Sequence, residues 1–145
     1  MSGEGKFIDE LMVGRKEVPV ENVITTNVIT AAESGKTFIL SLAGGFTSTL
    51  PKPEVGLNFK FIVGVAPTTA YIIATNGSAN IIQGQVVSAE DAAGSVATAA
   101  DSDTITFVAN KAIIGDTVEV VSDGSRWFVK GFCNVQDGIT TTKAS

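Results

Sequence analysis

The stretch TITFVANKAIIGDTVEVVSDGSRWFVKGF, residues 104 to 132, constrains the fold more than any other. Asp123-Gly124 lies between two runs of alternating β-formers. That is the mark of a two-residue hairpin, whose central residues favour positive φ and whose flanks need each other as partners. A tip at Asp123-Gly124 sets Ser122 against Ser125, Val121 against Arg126, Val120 against Trp127, Glu119 against Phe128 and Val118 against Val129. Side chains alternate across a strand, so Val118, Val120, Trp127 and Val129 share one apolar face that must be buried. Thr117, Glu119, Val121, Arg126, Phe128 and Lys130 share the other. That second face is too apolar for ordinary solvent contact and too charged for a core, which marks it as a contact surface.

The same grammar recurs upstream. NVITTNVIT (22–30) reads as a first strand, followed by TFILSL (37–42), FTSTL (46–50), FKFIV (59–63), YIIAT (71–75), IIQGQVV (81–87) and TITFVA (104–109). Between them lie AAESGK, a Gly-Gly pair, the proline-rich corner PKPEVGLN (51–58), APTT, NGSAN and NKAIIGD. Proline lacks the N–H that a central strand must donate, so the 51–58 corner stays outside the sheet. Residues 88–101, SAEDAAGSVATAAD, show no apolar stripe and read as a long surface loop. Ile139 to Thr142 reads as an edge strand. The expectation is an all-β body of eight or nine short strands, a compact β-sandwich, jelly-roll-like fold or small barrel, with no strict internal repeat.

Residues 1–22 read differently and form an N-terminal arm to a body spanning 23–145. Phe7 and Leu11 fall at i, i+4 spacing beside Ile8, Met12 and Val13, enough for two helical turns before Gly14, and Pro19 favours an extended exit. So few apolar side chains do not hold a helix alone. The arm either folds back on its own body or docks on a neighbour, and Phe7, Leu11 and Met12 are its candidate contacts.

Hydrophobic residues make up 44% of the chain and charged residues 17%, against about 25% charged in an average soluble domain. The deficit is local: residues 37–109 carry only seven charged side chains, whereas residues 1–21 carry eight. A body so poor in charge suits a protein whose surface is largely covered by partners. A net charge of −5 with no basic cluster argues against nucleic acid as a partner. The single cysteine, Cys133, excludes an internal disulfide and reads as a packed thiol in a protein of a reducing compartment. The opening MSGEGKFIDELMVG lacks the apolar core of a signal peptide, and no run is long enough to span a bilayer, so a non-exported chain without membrane contact is expected.

Chemistry leaves little trace. With no histidine, Ser-His-Asp and Cys-His arrangements are impossible. ESGKT (33–37) ends like a phosphate-binding loop, but the position that needs a glycine is Thr30 and the context is β, so it reads as a turn with Lys36 in solvent. Glu90, Asp91, Asp101 and Asp103 flank the long loop without the glycine and glutamate positions of a calcium site. Asn76-Gly77-Ser78 reads as a turn. No metal, cofactor or catalytic residue is expected. Trp127 reads as a core residue with one edge near the surface rather than a ligand platform. Phe128 stands equally as a contact to a neighbouring subunit or to the chain's own arm. With it, Val121, Arg126 and Lys130 complete the candidate interface.

The order ESGKTFIL, GGFTSTLPKPEVGLNFKFIVGVAPTT, YIIATNGSANIIQG and DTITFVANKAIIGDTVEVVSDGSRWFVKG resembles the head decoration, or capsid cement, proteins of tailed bacteriophages, with related modules in tail and fibre proteins. Ser34-Gly35-Lys36, the Leu50-Pro51 to Gly56-Leu57 corner, Phe59 to Val63, Asn76 to Gly84, Gly115-Asp116 and Ser122-Asp123-Gly124 with Trp127 carry the resemblance, over roughly residues 30–138. It implies a non-enzymatic virion protein on the outer surface of the head, assembled in the host cytoplasm. The implied partners are the major capsid protein and further copies of the chain, a trimer by preference. The alternative it implies is a tail or fibre adaptor, or a receptor-binding module.

Overall fold

The structure, a computed structural model, describes residues 19–90 and 96–145. These form twelve strands: β1 (Val20–Val23), β2 (Asn27–Val28), β3 (Thr37–Leu40), β4 (Phe46–Thr49), β5 (Val55–Val63), β6 (Tyr71–Ala74), β7 (Ile82–Ser88), β8 (Val96–Ser102), β9 (Thr104–Phe107), β10 (Thr117–Asp123), β11 (Trp127–Cys133) and β12 (Ile139–Thr142). A seven-stranded sheet runs β1-β3-β5-β10-β11-β7-β8, and a five-stranded sheet runs β12-β9-β6-β4-β2. The all-β, two-sheet architecture agrees with the expectation, with twelve strands where eight or nine are expected, because residues 22–30 divide between two strands and β8 lies in the expected 88–101 loop.

The first half is a flattened coil. β1, β3 and β5 pair in parallel in the large sheet, and β2, β4 and β6 pair in parallel in the small one. Parallel neighbours need a crossover, for which a helix is the usual solution. Here the crossover from each strand is the next strand, lying in the opposite sheet. Main-chain hydrogen bonds also join successive crossings: Ser41 N–H donates to Val23 O (2.9 Å), Val65 N–H to Leu40 O (3.0 Å) and Thr68 N–H to Ala43 O (2.8 Å). One turn separates Val20 from its neighbour Thr37, and the next separates Thr37 from Lys60. Turns of unequal length leave no sequence repeat to see.

The second half closes against the coil. β9 pairs antiparallel with β6 and β10 antiparallel with β5, and β10 turns into β11 as a hairpin. The chain then reaches β12, which lies on the outer edge of the small sheet. β7 and β8 form a second hairpin beyond β11.

Four expectations change. Residues 22–30 are not one strand but parts of β1 and β2 in opposite sheets. The sheet begins at Val20, inside the expected arm. The proline corner ends at Glu54, because Val55 already belongs to β5. The expected 88–101 loop contains β8, which gains its partner from β7 rather than from any stripe of its own.

Between the sheets, the inward positions stack aromatic rings in two ladders. Phe38 lies 5.4 Å from Phe61 and 6.1 Å from Phe59, and Phe59 lies 5.9 Å from Trp127. On the small sheet Phe46, Tyr71 and Phe107 follow at 5.0 and 6.4 Å. Such pairs add to the burial of their large surfaces. Tyr71 is fully buried, yet its hydroxyl is satisfied twice. It donates to Val65 O (2.7 Å) and accepts from Leu42 N–H (3.1 Å), tying the second crossing of the coil to the third. Tyr71→Phe removes both bonds and leaves a main-chain donor and acceptor without a partner. The expected loss is about 1–3 kcal/mol in chemical denaturation, with the native circular dichroism spectrum retained.

Candidate interaction face

The hairpin tip decides which side chains reach the surface. Asp123 N–H donates to Arg126 O (3.3 Å), and the Asp123 Oδ1 accepts from the N–H groups of Ser125 and Arg126 (2.8 Å each). These bonds, that from Ser125 foremost, hold the Asp123 carboxyl below the ordinary carboxylate range. Ser122 Oγ accepts from Gly124 N–H (3.0 Å), and Gly124 takes a φ of 99° that a side chain would resist. The tip is therefore longer than two residues. Val121 pairs with Phe128, Val120 with Val129 and Glu119 with Lys130, a register two residues from the expected one. A slip of two preserves the faces. Val118, Val120, Trp127 and Val129 point inward and are buried. Trp127 is buried completely, without the expected exposed edge.

The outward face of the large sheet is ordered in rows that cross the strands. Ile62, Thr117, Phe132 and Val87 form one row. Lys60, Glu119, Lys130 and Gln85 form the next, and Asn58, Val121, Phe128 and Gln83 the third. Lys60 and Glu119 make an ion pair at 3.1 Å, both well exposed, which contributes little on its own. Val121 is 49% exposed, Phe128 45% and Phe132 57%, values large enough that this sheet presents its aromatic rings to whatever lies outside. Two open grooves flank the ridge of β10. One, of about 390 Å³, reaches from Lys36 and Asn58 to Val121; the other, of about 600 Å³, lies between Phe128, Lys130, Gln85 and Thr98.

The structure thus brings Val121, Phe128 and Lys130 together on this face and leaves Arg126 exposed at the hairpin tip. Phe7, Leu11 and Met12 lie outside the described residues. Phe132, the most exposed ring of the face, is the residue that sequence reasoning missed. Its signal is the alternation Phe128, Lys130, Phe132, which continues through Gly131.

Elsewhere polar side chains pair with the backbone or with one another. Lys36 is not free in solvent but bridges Glu21 (2.9 Å) and Glu33 (3.3 Å). Asp116 is buried and accepts from Ile113 N–H (3.0 Å) and Asn134 N–H (3.1 Å), binding the β9–β10 corner to the β11–β12 corner. Burial pushes its carboxyl above the ordinary range against the pull of those two bonds. Glu90 accepts from Gln136 N–H (2.6 Å), and Asp101 accepts from the Gln83 amide. Among the described residues no three metal-ligating side chains gather. Cys133 is buried at the end of β11, its thiol donates to Val135 O (3.3 Å), and burial raises its pKa. Among the described residues no helix is long and apolar enough to cross a membrane.

Comparison with protein families, curated proteins and solved structures finds no match to this chain.

The two faces of β11 separate by mutation. Trp127→Ala opens a cavity between the sheets and costs about 3–5 kcal/mol. Phe128→Ala, which loses its cross-strand contact with Val121, costs the isolated chain about 1 kcal/mol. Equilibrium denaturation of both variants checks the assignment, and equal losses would overturn it.

Proposed function

We propose that this chain is a structural protein of a tailed-bacteriophage virion, without catalytic activity, and that it decorates the outside of the head. In this role it binds the major capsid protein, associates with further copies of itself and ties neighbouring capsomers together. The observation that carries the reading is the outward face of the large sheet. A broad β surface with Val121, Phe128 and Phe132 exposed on paired strands on either side of a charged row is built for contact with another protein. The resemblance of residues 30–138 to decoration proteins supports the same role, and the sparse charge of residues 37–109 fits a body covered by neighbours. Many weak contacts repeated over a shell make a lattice hard to pull apart, so each one can be modest.

Purified protein mixed with expanded, undecorated capsids is expected to bind stoichiometrically near the symmetry axes at physiological salt, as read by cryo-electron microscopy. Absence of binding overturns the proposal. Copy number in intact virions gives a second readout: one or more copies per capsomer supports the head, whereas a handful per particle places the chain in the tail. Removal of residues 1–18 is expected to leave the two-sheet body folded, because every described strand begins at or after Val20. Capsid binding by the truncated protein then measures the share of attachment that the arm provides.

A further inference from the structure

The rows on the outward face of the large sheet have a symmetry of their own. Consider an axis parallel to the strands and midway between β10 and β11. Across it β10 exchanges with β11, β5 with β7 and β3 with β8, following the strand order. In none of the three rows does this axis exchange two residues of like charge. In one row Thr117 exchanges with Phe132 and Ile62 with Val87, all uncharged. In the middle row Glu119 exchanges with Lys130, Lys60 with Gln85 and Thr37 with Thr98. In the third Val121 exchanges with Phe128, and Asn58 with Gln83.

We infer that this face binds the same face of a second copy, related by a two-fold axis along the strands between β10 and β11. Each residue then lies over the second copy's residue with which the axis exchanges it. Glu119 meets Lys130 of the second copy, twice per pair, Val121 meets Phe128, Ile62 meets Val87, and Asn58 meets Gln83 amide to amide. No like charges oppose each other across the axis. The shape also agrees. A twisted sheet is a saddle, and a two-fold axis along its central strands carries a saddle into a parallel copy of itself. Two such faces nest at the usual distance of about 10 Å without either bending.

The inference rests on the reading of this face as a contact surface under the proposed function and names its occupant. The contact is isologous, so it closes on itself as a pair. A trimer, implied by the resemblance, would need a different surface. From β3 to β8 the face spans about five strand spacings of about 4.8 Å, which places the pair at the small, weak end of protein interfaces. On a shell the local concentration of copies compensates for that weakness.

Analytical ultracentrifugation of the full chain, at concentrations up to about 1 mM, is expected to show a monomer–dimer equilibrium. Both Glu119→Lys and Lys130→Glu lie on exposed positions, and each alone sets like charges against each other at both bridges. Each variant alone is expected to sediment as a monomer over that range. An equimolar mixture is expected to restore the pair, because the two lysines of the Glu119→Lys chain then face the two glutamates of the Lys130→Glu chain. A monomeric parent at about 1 mM, a three-chain mass, single variants that pair as well as the parent, or a mixture that stays monomeric would each overturn the inference. Capsid binding by the unaltered chain remains a separate readout, so failure of the pair and failure of the head reading are distinguishable.

Discussion

β5 is the strand on which the two halves of the molecule meet. On one side it takes β3 in parallel and opens the third turn of the coil; on the other it takes β10 antiparallel and fixes the returning half. Its inward residues Leu57, Phe59, Phe61 and Val63 are buried, and two of them carry the aromatic ladder from Phe38 towards Trp127. Its outward residues Asn58, Lys60 and Ile62 set the height of the three rows that cross β10 and β11. Core and surface therefore share one register. A one-residue slip here would turn phenylalanines outward and lysine inward, which the hydrophobic term forbids.

This coupling explains what was legible in the sequence and what was not. The two faces of the hairpin can be read from alternation alone, because a period of two survives a slip of two residues. The tip cannot, since the Asp123 side chain captures two N–H groups and builds its own longer turn. β8 is invisible locally: its alanines and polar residues become a strand only because β7 offers a ladder. The coil is hidden because its turns differ in length, so its regularity lies in main-chain bonds between crossings rather than in recurring residues. Phe132 is masked by the glycine before it. Gly131 breaks the look of a strand, but it sits there because a Cβ would approach Val86 Cγ2 at 3.0 Å and Val118 Cγ2 at 3.5 Å.

The candidate face follows the same logic. Its exposed rings are not scattered apolar residues; they stand in line with charged and amide neighbours at the spacing of the strands. Long paired strands beneath them limit the freedom they have to lose on contact, which favours association even when the buried area is small. The polar clusters elsewhere, around Lys36, Asp116 and the hairpin tip, are engaged with the backbone or with one another and hold corners in place.

The unequal turns of the coil carry a consequence for engineering. Because successive strands are aligned by bonds between their crossings and by the rings between the sheets, the connections that return from the small sheet to the large one need not match in length. One such return runs through a single 3-10 turn at Ala31–Glu33, another through the prolines between β4 and β5. The proline return is the natural place to splice in a foreign peptide, since the strands on either side are already held by their neighbours. If the chain coats a shell, an insert there would be displayed once per copy over the whole particle.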